Sequence, residues 1–104
     1  MIIGKCRECY RDAGLPSIMD MISDTPIKGK EKVLKYLKNG KKGAIAVGKA
    51  IDVITNKPIP GEFCCYTDGT FGWRSDTIYY FENYNLRLEK NFISSVLKNQ
   101  HNGI

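Results

Sequence analysis

The residue types best suited to chemistry here are four cysteines, a single histidine, a set of lysines and a dense run of aromatics. Cys6 and Cys9 form a CxxC, and Cys64 and Cys65 are adjacent. Four thiols invite a zinc reading. The spacing opposes it, because neighbouring side chains of a strand point to opposite faces and Cys64 and Cys65 do not readily share one ion. One of them could join Cys6 and Cys9, with His101 or water as the fourth ligand. Only half of the usual paired knuckle is present, so no metal is assigned. The four are read as free, partly buried thiols of a reducing compartment. A redox CxxC fits less well still, since no strand precedes it and no βαβ pattern surrounds it. His101 sits near the end of the sequence. A general base needs a fixed position within reach of its target, so His101 reads as an exposed tail residue. Gly40-Lys41-Lys42-Gly43 lacks the spacing and the following Ser/Thr of a phosphate loop. The expectation is a protein with no catalytic residues and no cofactor, one that works by binding.

Two binding constellations stand out. Lys28, Lys32, Lys35 and Lys38, with Lys42 drifting around the same side, form a cationic stripe that could meet phosphates. Single-strand binding also wants aromatic platforms, and only Tyr10 and Tyr36 are near in sequence. With no RNP-like, KH-like or zinc-finger pattern, a solvated helix face is the more common explanation. The second constellation is Tyr66, Phe71, Trp73, Tyr79, Tyr80, Phe81 and Tyr84. Seven aromatics in so short a span exceed what one face of a small sheet needs. Phe71, Ile78 and Phe81 are assigned to the core. Some of the rest must reach the surface, at Trp73, Tyr79 or Tyr84, as interface or as partly exposed core. Beside Asp68, Arg74, Asp76 and Glu82 they match the composition of a protein-binding hot spot.

The frame that positions these residues is a single domain of 104 residues. That length buries one modest core without staples. Charged residues are 26% and apolar residues 42%, ordinary for a globular, soluble domain. No stretch approaches the roughly 20 nearly uncharged residues of a spanning helix. Met1-Ile2-Ile3-Gly4-Lys5 is too short in apolar run for a signal peptide, so the cytoplasm is the expected compartment. The net charge of +5 is uneven: ten Lys/Arg against five Asp/Glu lie in residues 1–42, and six against six follow. An acidic partner or a solubilising face would account for that.

Residues 1–28 read as the least regular part, with a short helix at Cys6–Cys9 and a helix whose face is Leu15, Ile18, Met19 and Ile22. Lys30 to Asn39 is the clearest helix, with Val33, Leu34 and Leu37 as its stripe and Gly40 stopping it in the C′ position. Ala44–Val47, Ile51–Ile54, Phe63–Tyr66 and Thr70–Trp73 read as short strands, the last two joined by an Asp68-Gly69 turn. Asn56 to Gly61 is turn-rich. Ser75-Asp76 opens a helix over Thr77–Tyr84, and Glu89–Lys98 is a last helix with Phe92, Ile93, Val96 and Leu97 inward. Residues 29–98 then form the core and 99–104 a mobile tail. The fold class is α+β: N-terminal helices, an antiparallel sheet of three or four strands, then C-terminal helices.

Thr67-Asp68-Gly69-Thr70-Phe71-Gly72-Trp73-Arg74-Ser75-Asp76-Thr77-Ile78-Tyr79-Tyr80-Phe81, followed by Tyr84-Asn85-Leu86-Arg87-Leu88 and Phe92-Ile93, resembles small immunity proteins of bacterial contact-dependent growth inhibition and related polymorphic toxin systems. Tyr36-Leu37-Lys38-Asn39-Gly40, Asp52-Val53-Ile54-Thr55 and Ile59-Pro60-Gly61-Glu62 fit the same pattern, so the likeness spans about residues 31–97. The first 28 residues with their CxxC are outside it. The resemblance implies a cytoplasmic antitoxin that forms a heterodimer with the C-terminal toxin domain of its cognate effector, a nuclease in many such systems, and blocks it by direct contact. It supplies no set of contact residues. Opposite fields speed encounter, and this chain is basic. Either its toxin is acidic at the contact, or the charge-balanced C-terminal half makes it.

Overall fold

The computed structural model describes residues 1–102, with side chains through Lys98. Its helices are α1 (Arg7–Tyr10), α2 (Lys30–Lys38), α3 (Ser75–Tyr84) and α4 (Lys90–Asn102). Its strands are β1 (Lys41–Ile45), β2 (Ile51–Asp52), β3 (Lys57–Pro58), β4 (Cys64–Thr67) and β5 (Gly72–Arg74). The architecture is α+β: a three-stranded antiparallel sheet of order β1-β4-β5, a separate β2-β3 ribbon, and helices before and after.

The elements form where sequence chemistry favours them. β4 and β5 are joined by the expected Asp68-Gly69 turn. Gly69 sits at φ +97°, and the Asp68 carboxylate accepts the Thr70 and Phe71 N–H groups at 2.9 and 2.7 Å. α2 buries Val33 and Leu37 and packs against α3 and α4. α3 buries Ile78, Tyr80 and Phe81, and α4 contributes Phe92 and Val96. At the centre Phe92 meets Phe71, Trp73 and Tyr36, with ring centroids 5.1, 5.6 and 6.0 Å apart. Edge and tilted contacts of this kind add to the apolar burial.

Several expectations need correction. Trp73 does not reach the surface; it is 1% exposed, and its Nε1–H donates to the Leu37 carbonyl at 3.0 Å. Gly40 does follow the C-cap Asn39, in the C′ position, but not with positive φ; a glycine is required there because a Cβ would lie 2.6 Å from Trp73 Cζ2. The helix expected over Leu15–Ile22 is only a 3₁₀ turn, Ile18–Asp20, capped by the Ser17 hydroxyl. Ile18 and Met21 point inward there, while Met19 is exposed. The first strand lies earlier than Ala44–Val47, and the turn-rich 56–61 segment supplies β3. α4 runs past Lys98 to Asn102. The side chain of His101 and the last two residues, expected as a mobile tail, lie outside the described residues. Among the described residues no helix is long and apolar enough to cross a membrane.

Two substitutions test the aromatic centre. Trp73→Phe should lower unfolding free energy by about 1–3 kcal/mol, because it removes buried packing and leaves the Leu37 carbonyl only the long Gly40 N–H contact at 3.4 Å. Gly40→Ala should cost a similar ~1–3 kcal/mol through overpacking. Urea denaturation measures both, and a neutral Gly40→Ala would refute the steric account of that glycine.

Candidate protein-binding surface

The residues expected at an interface separate into three local structures. The first surrounds Asp52, which is wholly buried. Its Oδ1 accepts the N–H groups of Ile54 and Thr55 at 2.7 and 3.2 Å. Its Oδ2 accepts the hydroxyls of Tyr79 and Tyr84, each at 2.7 Å. Burial alone would raise the Asp52 pKa, but these donors outweigh it and hold the carboxyl below its ordinary 3.8. The same hydrogen bond pushes Tyr79 up to about 12 and raises Tyr84. Between them, Tyr80 accepts the Val53 N–H at 2.9 Å and donates to the Ile51 carbonyl at 3.2 Å. Tyr79 and Tyr84 were expected as exposed anchors. They are half-buried, and their hydroxyls clamp the β2-β3 ribbon to α3.

The second is Arg74 with Asp76. The guanidinium lies between the rings of Tyr10 and Phe63, 4.5 and 4.9 Å from their centroids. It meets Asp76 through Nε at 3.0 Å and through Nη2. Asp76 is buried and Arg74 partly so; neither offers a free charge to a partner. The third is Asp68, whose carboxylate accepts the Tyr36 hydroxyl at 2.6 Å while holding the β4-β5 turn. Of the proposed set, Asp68 and Glu82 are the exposed ones. Glu82 pairs with Lys38 at 3.2 Å, both about half exposed, a contact of small energetic weight.

The lysine stripe is also placed. Lys28, Lys32, Lys35 and Lys38 are all exposed. Lys38 turns to Glu82, and Lys42 pairs with Glu62 at 2.7 Å. Lys38 therefore shares a groove of about 560 Å³ with Tyr79 and Glu82, joining residues of the two expected sites. The cysteines are split: Cys6 and Cys64 are buried, Cys9 is half-buried and Cys65 exposed. A hydrogen bond from Cys9 draws the Cys6 thiol down to about 7. No group of three or more potential metal ligands converges among the described residues.

The surface that sequence reasoning passed over lies between positions 45 and 53. Ile45 is 57% exposed, Val47 103%, Ile51 46% and Val53 40%, whereas Ala50 and Asp52 between them are buried. The ribbon is inside-out, with a carboxylate in the core and β-branched side chains in solvent. Both pairs lie in runs that read as strands, Ala44–Val47 and Ile51–Ile54. Over 50–53 exposure alternates, with Ala50 and Asp52 inward, whereas every residue from 41 to 49 is exposed. β1 leads into this segment of the chain. All five of its residues are exposed, and it has a bulge between Lys42 and Ile45. Its outer edge carries no strand partner among the described residues. The opposite edge is covered, because Ile2 bridges Gly72 and the Ile3 N–H donates to the Gly72 carbonyl at 2.9 Å. Open edges and exposed apolar patches are where partners dock.

Asp52→Ala should lower stability by about 2–4 kcal/mol, since four donors lose their acceptor. Tyr79→Phe or Tyr84→Phe should each cost about 1 kcal/mol. The pH dependence follows from the lowered carboxyl. Asp52 stabilises the fold above its ordinary 3.8, and this contribution is lost as pH falls through the lower folded value. Denaturant midpoints between pH 2 and 7 should therefore fall more steeply on the acid side for the wild type than for Asp52→Asn. Parallel profiles would contradict the ionised, hydrogen-bonded assignment.

No family model matches this sequence, no curated protein matches it, and no solved structure matches it.

Proposed function

We propose that this protein is an immunity protein, a stoichiometric inhibitor that binds and neutralises the C-terminal domain of a cognate secreted toxin. The observation that carries the reading is the inside-out segment 45–53. There Val47 is fully exposed, and Ile45, Ile51 and Val53 are each at least 40% exposed, around a buried Asp52. Exposing four β-branched apolar side chains in one short stretch has no folding benefit. It suits a surface that is covered in a complex, where apolar contacts at the centre of the patch supply most of the binding energy. The open edge of β1 beside it offers backbone donors and acceptors to an extended partner segment. Exposed Lys41, Lys42, Lys49 and Lys57 flank the patch while Asp52 is buried, so it suits a toxin that is acidic at the contact. The resemblance to polymorphic-toxin immunity proteins supports the same reading.

The test is co-purification of the untagged chain with the tagged C-terminal domain of the large secreted protein encoded immediately upstream. A complex that survives a high-salt wash, with rescue of growth on toxin expression, is the expected result. Val47→Asp with Ile51→Asp should weaken that complex by about 30-fold or more. Both side chains are exposed, so the double variant should keep its unfolding midpoint within ~1 kcal/mol of wild type. Failure to bind the neighbouring toxin domain would overturn the proposal. Binding that survives the double variant but falls steeply with salt and with charge reversal at Lys32 and Lys35 would move the activity to the cationic stripe and to nucleic acid.

A further inference from the structure

Residues 22–28 run along the α3–α4 connection without forming helix or strand. Three hydrogen bonds pin this strap. The Arg87 N–H donates to the Met21 carbonyl at 2.7 Å, and the Ser23 N–H to the Tyr84 carbonyl at 3.0 Å. Asn85 Nδ2 donates to the Ser23 carbonyl at 2.9 Å. Between the strap and the start of α4 is a cleft of about 520 Å³. That lies inside the roughly 300–1,000 Å³ of small-molecule sites.

The cleft is amphiphilic in a directed way. Its floor is apolar and recessed: Met21, Phe81, Leu86 and Leu88 line it, and each is at most 7% exposed. Its rim is cationic, with the exposed side chains of Lys28, Arg87 and Lys90. Asp20 is the single acid on the lining. None of the three cations takes part in an ion pair among the described residues. The neighbouring cation Lys30 is, by contrast, already engaged with the Glu82 carbonyl and Asn85 Oδ1, at 2.9 and 2.6 Å. Glu89 is also occupied; it accepts the Gly4 N–H at 3.0 Å.

We infer that this cleft binds a small amphiphilic anion, a medium-chain carboxylate whose hydrocarbon chain lies on the floor and whose headgroup meets Lys28, Arg87 and Lys90. Ile27, 41% exposed, is the one exposed large apolar side chain on the lining; the recessed floor beside it favours a single inserted chain over a membrane surface, since bilayer binding relies on several apolar side chains that protrude. A cationic rim over an apolar floor selects the charge of the headgroup while the chain supplies the affinity. The site is separate from the 45–53 surface and does not depend on the inhibitor reading.

The probe is sodium decanoate, titrated as monomer into the full chain by calorimetry, with decyltrimethylammonium as the cation of matched chain. Saturable one-to-one binding of decanoate is expected, with the cation at least about tenfold weaker. The Arg87→Glu, Lys90→Glu double variant should lose about tenfold in decanoate affinity, as expected of two rim charges that each contribute a few-fold. Neither side chain makes a hydrogen bond among the described residues, so its thermal unfolding should match wild type. Absence of saturable binding, equal affinity for the cation, or unchanged affinity in the double variant would each overturn the assignment. So would association with anionic phospholipid vesicles without binding of monomeric decanoate, which would make this a membrane-facing patch.

Discussion

The buried carboxylate of Asp52 is the constraint on which the rest of the surface depends. An ionised group excluded from water is tolerated only when its oxygens are saturated with donors. Here two backbone N–H groups and two tyrosine hydroxyls saturate them, and no cation takes part. Those donors come from the ribbon itself and from α3, so the carboxylate fixes where the ribbon sits. It also fixes which way its neighbours point. Successive side chains of a strand alternate in direction, so drawing Asp52 inward sends Ile51 outward, and Val53, which opens the turn after it, is exposed as well. This half of the exposed apolar surface follows from the polar anchor beneath it; Ile45 and Val47 belong to β1 and the loop that follows.

The three tyrosines of α3, Tyr80 in the core and Tyr79 and Tyr84 at its margin, show how an aromatic run can be explained without becoming interface. Tyr79, Tyr80 and Tyr84 pack on one another with centroids 5.5 to 6.2 Å apart. Their rings supply bulk between α3 and the ribbon, and their hydroxyls supply the polar contacts that the ribbon is too short to make for itself. A two-residue strand pair has little intrinsic stability. Its order comes from tertiary hydrogen bonds, and these use the amphipathic reach of tyrosine.

Much of the frame was legible in the sequence because it rests on local chemistry. Helical spacing located α2 and α3, and an Asp-Gly pair located the β4-β5 turn. Two kinds of information were not local. The role of Gly40 is set by Trp73, a residue distant in sequence, so the glycine read as a helix stop. The site was misread for a related reason. Composition identified Trp73, Arg74, Asp76, Tyr79 and Tyr84 as unusual, and they are unusual. Yet each has a partner supplied from elsewhere in the fold or from its own helix: Leu37 for Trp73, Asp76 with Tyr10 and Phe63 for Arg74, Asp52 for the two tyrosines. Hot-spot composition and a buried polar network draw on the same residue types. Pairing alone separates them, and pairing is a property of the tertiary structure.

That separation bears on how such a surface can serve recognition. The groups that hold the ribbon in place, Asp52, Tyr79, Tyr80 and Tyr84, lie beneath it. The groups that face solvent, Ile45, Val47, Ile51 and Val53, accept no structural hydrogen bond through their side chains and fill no core space. Exposed side chains of this kind change with little effect on stability, whereas buried, paired ones do not. A binder that must match one partner and reject its relatives needs this arrangement. Specificity is a difference of affinities, and tuning it requires positions whose identity is free of folding constraints. Anchoring the ribbon from below with a fully satisfied carboxylate leaves the upper face free to vary while its shape stays fixed.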